Sequence, residues 1–181
     1  LVIELALRHA VVDVDGGEQE LAFLGHHVEA MHARGGLLRD AADVFGDLGE
    51  VALRLLKNNK KGMFMLIEGS QIDWGGHGND TQYIVDEMID FDHAIGKVLD
   101  FAKKDGNTLV IITADHETGG FSINGGDMKT GKVEGKFTTK SHTGVMIPVF
   151  AYGPGSEQFS GIYENTAIYD KMMAAFNFKK K

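Results

Sequence analysis

Two short apolar runs, Met63–Ile67 and Thr108–Thr113, are joined by a stretch with the period of one long helix. This spacing is the strongest constraint on what the chain can fold into. Met63–Ile67 is continuous and bounded by Gly62 and Glu68, the pattern of a strand buried on both faces. Ile84, Met88, Phe91, Ile95, Val98 and Ala102 then fall on one helical face. Asn79 or Asp80 can cap that helix and Gly106 can end it. Thr108–Thr113 reads as a second buried strand. A strand, a helix-length crossover and a strand predict an α/β fold with a mainly parallel sheet sandwiched by helices.

The rest of the chain is less regular. Val44, Leu48, Val51 and Leu55 form an amphipathic period that ends near Lys57–Lys61. Gly69 to Asp80 reads as a glycine-rich loop. Between Glu117 and Lys140 the repeated glycines predict turns and a hairpin. Val145–Tyr152 is a third apolar run, and Pro148 within it suggests a sheet edge. Asn165 is expected to cap a last helix in which Ile168, Met172 and Phe176 share a face. Residues 1–40 form an N-terminal segment without a clear period, in which Leu1–Leu7 is apolar and Ala10–Val14 is a candidate strand before a turn at Asp15-Gly16-Gly17. Residues 41–181 are assigned to the α/β domain, with Lys179–Lys181 as a solvated tail.

Composition removes several functions. With 18 Lys+Arg against 26 Asp+Glu, the net charge is −8, which argues against a nucleic-acid binder. No apolar run reaches the roughly 18–20 residues of a membrane span. Leu1–Leu7 is too short and acid-bearing for a signal peptide. The absence of cysteine excludes disulfides, thiolate metal ligands and cysteine nucleophiles together.

The polar residues at the strand ends carry the chemistry, because α/β proteins bind ligands beyond the carboxyl edge of the sheet. The first strand runs into Glu68, Asp73 and His77, and the second into Asp115 and His116. Imidazole and carboxylate ligands without thiolate suit catalytic zinc, whereas a carboxylate alone suits magnesium better. His142 precedes the third apolar run and reaches the same crevice if that run is antiparallel or if the loop before it folds over the sheet edge. His93, inside the long helix, reads as an exposed residue, and Trp74 as one that packs the loop in preference to lining a substrate pocket.

These segments resemble the alkaline phosphatase family. Glu68-Gly69-Ser70-Gln71-Ile72-Asp73-Trp74-Gly75-Gly76-His77 is similar to its metal-binding loop, and Thr113-Ala114-Asp115-His116-Glu117-Thr118-Gly119-Gly120 to its second metal motif. His142-Thr143-Gly144, followed by Val149–Gly155, is similar to the last. The resemblance runs from about Asp40 to Phe178 and corresponds to the C-terminal half of the family. It implies one zinc at Asp73, His77 and His142, a second at Asp115 and His116, and magnesium at Glu68. It further implies hydrolysis of phosphate monoesters, a homodimer, and a periplasmic or extracellular location.

The family also uses a serine nucleophile, an aspartate shared between metals and a phosphate-gripping arginine, all in an N-terminal half that is not recognisable here. Ser70, Ser122, Ser141 and Ser156 do not stand in the nucleophile motif, so no catalytic residue is assigned and the chain alone is expected to be inactive. Asp13-Val14-Asp15-Gly16-Gly17 reads as a turn in preference to a missing metal ligand or an aspartyl nucleophile. Two alternatives stay open: a phosphodiesterase or sulfatase-like hydrolase with the same metal pair, and a non-catalytic metal-binding fragment.

Overall fold

The computed structural model describes residues 2–7, 53, 55–56, 58–59 and 62–178. Along these the chain forms β1 (Val2–Leu7), β2 (Met63–Glu68), α1 (Ser70–Gly78), α2 (Thr81–Asp105), β3 (Thr108–Thr113) and β4 (Glu117–Thr118). It continues through β5 (Ser122–Asp127), β6 (Lys132–Lys136), β7 (His142–Thr143), β8 (Phe150–Tyr152), a 3₁₀ turn (Ser156–Phe159) and α3 (Ala167–Ala175). Leu53, Leu55 and Leu56 are helical, but the expected apolar face is not the buried one: Leu55 is 74% exposed and Leu53 is buried, while Val44, Leu48 and Val51 lie outside the described residues. The candidate strand Ala10–Val14, the segment Asp13–Gly17 and the tail Lys179–Lys181 lie outside the described residues.

β3 organises the layers. Its side chains alternate across the sheet, as a two-residue period requires. Val110 packs with Met63, Met65, Phe91, Ala94 and Val98 under α2, while Leu109 and Ile111 pack with Phe159 and Ile168 on the opposite face. Helices therefore cover both faces of the central strand, as the α/β reading expects. The long helix also begins and ends where the sequence places it: the Asp80 side chain accepts the Tyr83 N–H, and Gly106 closes the helix in the left-handed region at φ 71°.

The pairing of strands departs from a mainly parallel sheet. The sheet order is β2-β1-β3-β8, and each adjacent pair is antiparallel. β2 and β3 do run in the same direction, as their helical crossover demands, but β1 occupies the position between them and bonds to both. Among the described residues β2 is an outer strand of the sheet, and with Leu66 41% exposed it is not buried on both faces. β8 forms the other edge, in line with Pro148 before it. Gly153, just beyond β8, has φ 102°, and a Cβ there would lie 2.0 Å from the Thr108 carbonyl oxygen.

Two smaller departures concern helices. The last helix starts at Ala167 after Thr166, and Asn165 contributes its carbonyl to the Ile168 N–H rather than a side-chain cap. Residues 70–78 are helical, although the glycines suggested a loop. The expected hairpin is present as β5–β6.

Phe91 is 2% exposed at the centre of the α2–sheet layer, and its ring sits against Gly69 at the head of α1. Phe91→Ala is expected to cost about 3–5 kcal/mol through lost burial and an unfilled cavity, measured as a lower urea midpoint.

Candidate metal centre

Helix α1 places the first two candidate ligands. Asp73 and His77 are four residues apart, one turn along a helix, so their side chains share a face. The glycines between them explain why this segment is helical despite its composition. A Cβ on Gly75 would lie 2.9 Å from the Ile84 side chain, and one on Gly76 would lie 2.9 Å from the Thr118 side chain and carbonyl. Glycine here lets α1 approach α2 on one side and β4 on the other. Tertiary packing thus outweighs the roughly 1 kcal/mol that each helical glycine costs relative to alanine.

The third ligand arrives on β7. β4 pairs with β7 over two residues, with Glu117 opposite Thr143 and Thr118 opposite His142. The bridge brings His142 Nε2 to 3.2 Å from His77 Nε2 and 3.7 Å from Asp73 Oδ1, while His77 Nε2 lies 3.4 Å from Asp73 Oδ2. Asp73, His77 and His142 form a three-ligand group whose donor atoms lie within 4.8 Å of one another. Tetrahedral zinc with bonds of about 2.0–2.1 Å has edges of about 3.3 Å, so these separations fit one ion. Their side chains are 32%, 43% and 47% exposed, which leaves a route from solvent.

Hydrogen bonding fixes which nitrogens face the group. The His77 Nδ1 atom lies 2.6 Å from the Lys140 carbonyl oxygen, which can only accept. Nδ1 therefore carries the proton, and in the neutral ring Nε2 offers a lone pair to the cluster. Thr118 performs a related task. Its single hydroxyl proton goes to Asp73 Oδ1 at 2.5 Å, so its oxygen accepts from His116 Nδ1 at 3.2 Å. His116 Nε2 then faces Asp115 Oδ2 at 3.2 Å, a lone pair opposite a carboxylate. A cation between them would satisfy both.

The two ligand sets are contiguous. The His116 ring stacks on His142 with centroids 3.5 Å apart and planes at 19°. Five of the six residues singled out from the sequence thus converge, namely Asp73, His77, Asp115, His116 and His142. Glu68 ends β2, one residue before α1, and is not a member of the three-ligand group. His93 is exposed, as read. Trp74 corrects its expectation: it is 63% exposed, because Asp73 and His77 take the inward face of α1 and Trp74 projects from another.

The supporting residues were not visible as ligands. Glu117 accepts the Thr143 hydroxyl and the Gly120 N–H on Oε2 and the Phe121 N–H on Oε1. Burial raises its carboxyl pKa, but these hydrogen bonds and the neighbouring His116 ring outweigh burial and hold it below its ordinary value. The motif showed Glu117 and Thr143, but no spacing rule pairs residues 26 apart. A carbonyl such as that of Lys140 leaves no side-chain signal at all.

Gly76→Ala tests the close approach of α1 to β4. Alanine is the better helix former, yet the substitution is expected to destabilise the chain by about 1–3 kcal/mol through overpacking on Thr118, seen as a lower melting temperature.

Comparison with known proteins agrees with this architecture. The family profile described as Alkaline phosphatase matches residues 8–136 and 129–178. Alkaline phosphatase 3 of Bacillus subtilis (strain 168) is 33% identical over 205 residues, covering 75% of this chain and 44% of the relative. Alkaline phosphatase of Escherichia coli (strain K12) is 32% identical over 157 residues, covering 77% of this chain and 33% of the relative. The solved alkaline phosphatase from the Antarctic bacterium TAB5 superposes with a TM-score of 0.70 at 45% identity, over 76% of this chain and 42% of that one. A mutant of the TAB5 enzyme, at TM-score 0.69 and 44% identity over 76% of this chain and 42% of that one, has Mg bound in its M3 site. The chain spans less than half the length of these relatives. With its profile match and its fold, the chain belongs to the alkaline phosphatase family.

Proposed function

We propose that this chain supplies the metal-holding half of a phosphate monoester hydrolase. The observation that carries the reading is the meeting of Asp73, His77 and His142, drawn from α1 and β7, at separations that suit one tetrahedral ion. In this reading those three hold one zinc, Asp115 and His116 contribute to a second, and Glu68 holds magnesium. Bound as a pair, the zincs would activate the attacking oxygen and stabilise the leaving oxygen of a phosphoryl transfer.

The chain's own residues prepare that chemistry. Asp73 spreads its two oxygens between the histidines, and Thr118 holds it there by donating to Oδ1. The Lys140 carbonyl keeps the His77 proton on Nδ1, away from the cluster. Because Asp73, Asp115 and Glu68 are acidic, the ligand set attracts cations first, and the metal charge then allows an acidic protein to receive an anionic ester. No serine of the chain is assigned as nucleophile. We place that residue in the part of the relatives' length that this chain does not span. The family relationship also carries a homodimer and a periplasmic or extracellular location into the proposal; no helix among the described residues is long and apolar enough to cross a membrane.

Metal analysis tests the reading. The purified chain is expected to retain about one tight zinc and to bind a second more weakly, because the second site has fewer ligands here. His142→Ala should lose the tight zinc. A wild-type chain without zinc, or a His142→Ala chain that keeps it, would count against the assignment.

Activity supplies a second test. The chain alone should show little or no phosphatase turnover, whereas in a whole parent enzyme His116→Ala should depress turnover by orders of magnitude with the fold retained. Comparing mono- and diester substrates in that enzyme separates the monoesterase from a phosphodiesterase or sulfatase-like relative.

A further inference from the structure

His142 is held differently from the other ligands of its group. His77 is fixed through Nδ1 by the Lys140 carbonyl, and Asp73 through Oδ1 by Thr118. Both also sit on a nine-residue helix. His142 is on a two-residue strand, and among the described residues its Nδ1 has no hydrogen-bond partner. Apart from its Nε2 contacts with His77 and Asp73 inside the group, its ring position is set by stacking on His116 and by the path of the β7 backbone. A two-residue pairing is too short to hold a strand by its own ladder, since even a full isolated hairpin is marginal in water.

The residue next to His142 provides the missing restraint. Thr143 donates its hydroxyl to Glu117 Oε2, directly across the β4–β7 pair. Glu117 is itself held by the N–H groups of Gly120 at 3.1 Å and Phe121 at 2.9 Å, so the carboxylate is anchored to the turn after β4. The same carboxylate follows His116 in the chain. One side chain thus ties the strand carrying His142 to the segment carrying Asp115 and His116.

We propose that Glu117 and Thr143 form a latch that positions His142 against Asp73 and His77, and that they tune zinc affinity without touching the ion. The role rests on the reading of those three residues as a zinc site. It assigns Glu117 and Thr143 as positioning residues, acting through the β7 backbone. Hydrogen bonds to charged acceptors are about twice as strong as neutral ones, so a carboxylate is the effective clasp. Glutamine at 117 would have the same shape, but its NH₂ would face a donor.

Zinc affinity, measured by chelator competition on the whole 181-residue chain, separates the latch from a general structural role. Thr143→Val and Glu117→Gln should each weaken the tight zinc by about 10–100-fold, the range found for groups that orient metal ligands. Thr143→Ser keeps the hydroxyl and should bind as wild type. The double variant should be no weaker than the weaker single, because the two residues form one interaction. In the metal-free chain, Glu117→Gln should speed hydrogen exchange at the Gly120 and Phe121 amides. Wild-type affinity in Thr143→Val, equal weakening in Thr143→Ser, or unchanged exchange in Glu117→Gln would overturn the latch. So would loss of folding in Thr143→Val, which would make the residue a general determinant of the fold. A wild-type chain that binds no zinc would instead overturn the metal reading beneath it, while the exchange arm would still report on the clasp.

Discussion

Glu117 and Thr118 pair with Thr143 and His142 over only two residues, yet the convergence on Asp73 depends on that contact. The segments it joins are separated by the β5–β6 hairpin, and nothing local would hold them together. The pair is reinforced on the side where the chain leaves β4 and enters β7. The Gly119 N–H donates to the Ser141 carbonyl, and the Thr138 and Thr139 N–H groups both donate to the Gly119 carbonyl. Gly119 has φ 91°, and a Cβ there would lie 2.9 Å from the Gly76 carbonyl oxygen. Backbone of α1 and of the turn after β4 therefore meet without side chains between them. This close approach lets Thr118 reach Asp73 and His77 reach the Lys140 carbonyl.

What the sequence made legible is what local rules govern. The long helix, its Asp80 cap and its Gly106 stop follow from period and capping chemistry within one segment. The alternating burial of Leu109, Val110 and Ile111 needs only the geometry of a strand between two layers. The spacing of Asp73 and His77, and the adjacency of Asp115 and His116, are likewise short-range. Features that depend on distant partners were hidden. Gly75 and Gly76 read as loop formers because Ile84 and Thr118, the residues they admit, cannot be found by inspecting the glycines. β1 enters the sheet between β2 and β3 although its last residue, Leu7, pairs with Met63, 56 positions further along the chain, a choice no periodicity encodes.

The same distinction applies within the centre. Residue types and the family resemblance pointed to candidate ligands, of which Asp73, His77 and His142 do come together, and carboxylates and imidazoles without cysteine leave a narrow range of metals. They did not indicate how each ligand is aimed. Aiming depends on Thr118, the Lys140 carbonyl and the Glu117–Thr143 clasp, all of which act across the fold. Groups that orient ligands are as much a part of a metal site as the ligands. Their sequence signal is weak because a hydroxyl or a backbone carbonyl is available almost everywhere.

Electrostatics explains why such aiming matters in this chain. Nε2 atoms of His77 and His142 lie 3.2 Å apart, and His116 Nε2 lies 3.2 Å from a carboxylate oxygen. With the Nδ1 protons of His77 and His116 committed to Lys140 and Thr118, their Nε2 atoms turn lone pairs toward His142 and Asp115, an arrangement that gains when a cation enters. Ligand geometry and cation affinity are then two sides of one balance. The stiffer the scaffold around His142, the less of the binding energy is consumed in assembling the site. A short strand clasped by a carboxylate can thus serve in place of the helix that carries the other two ligands.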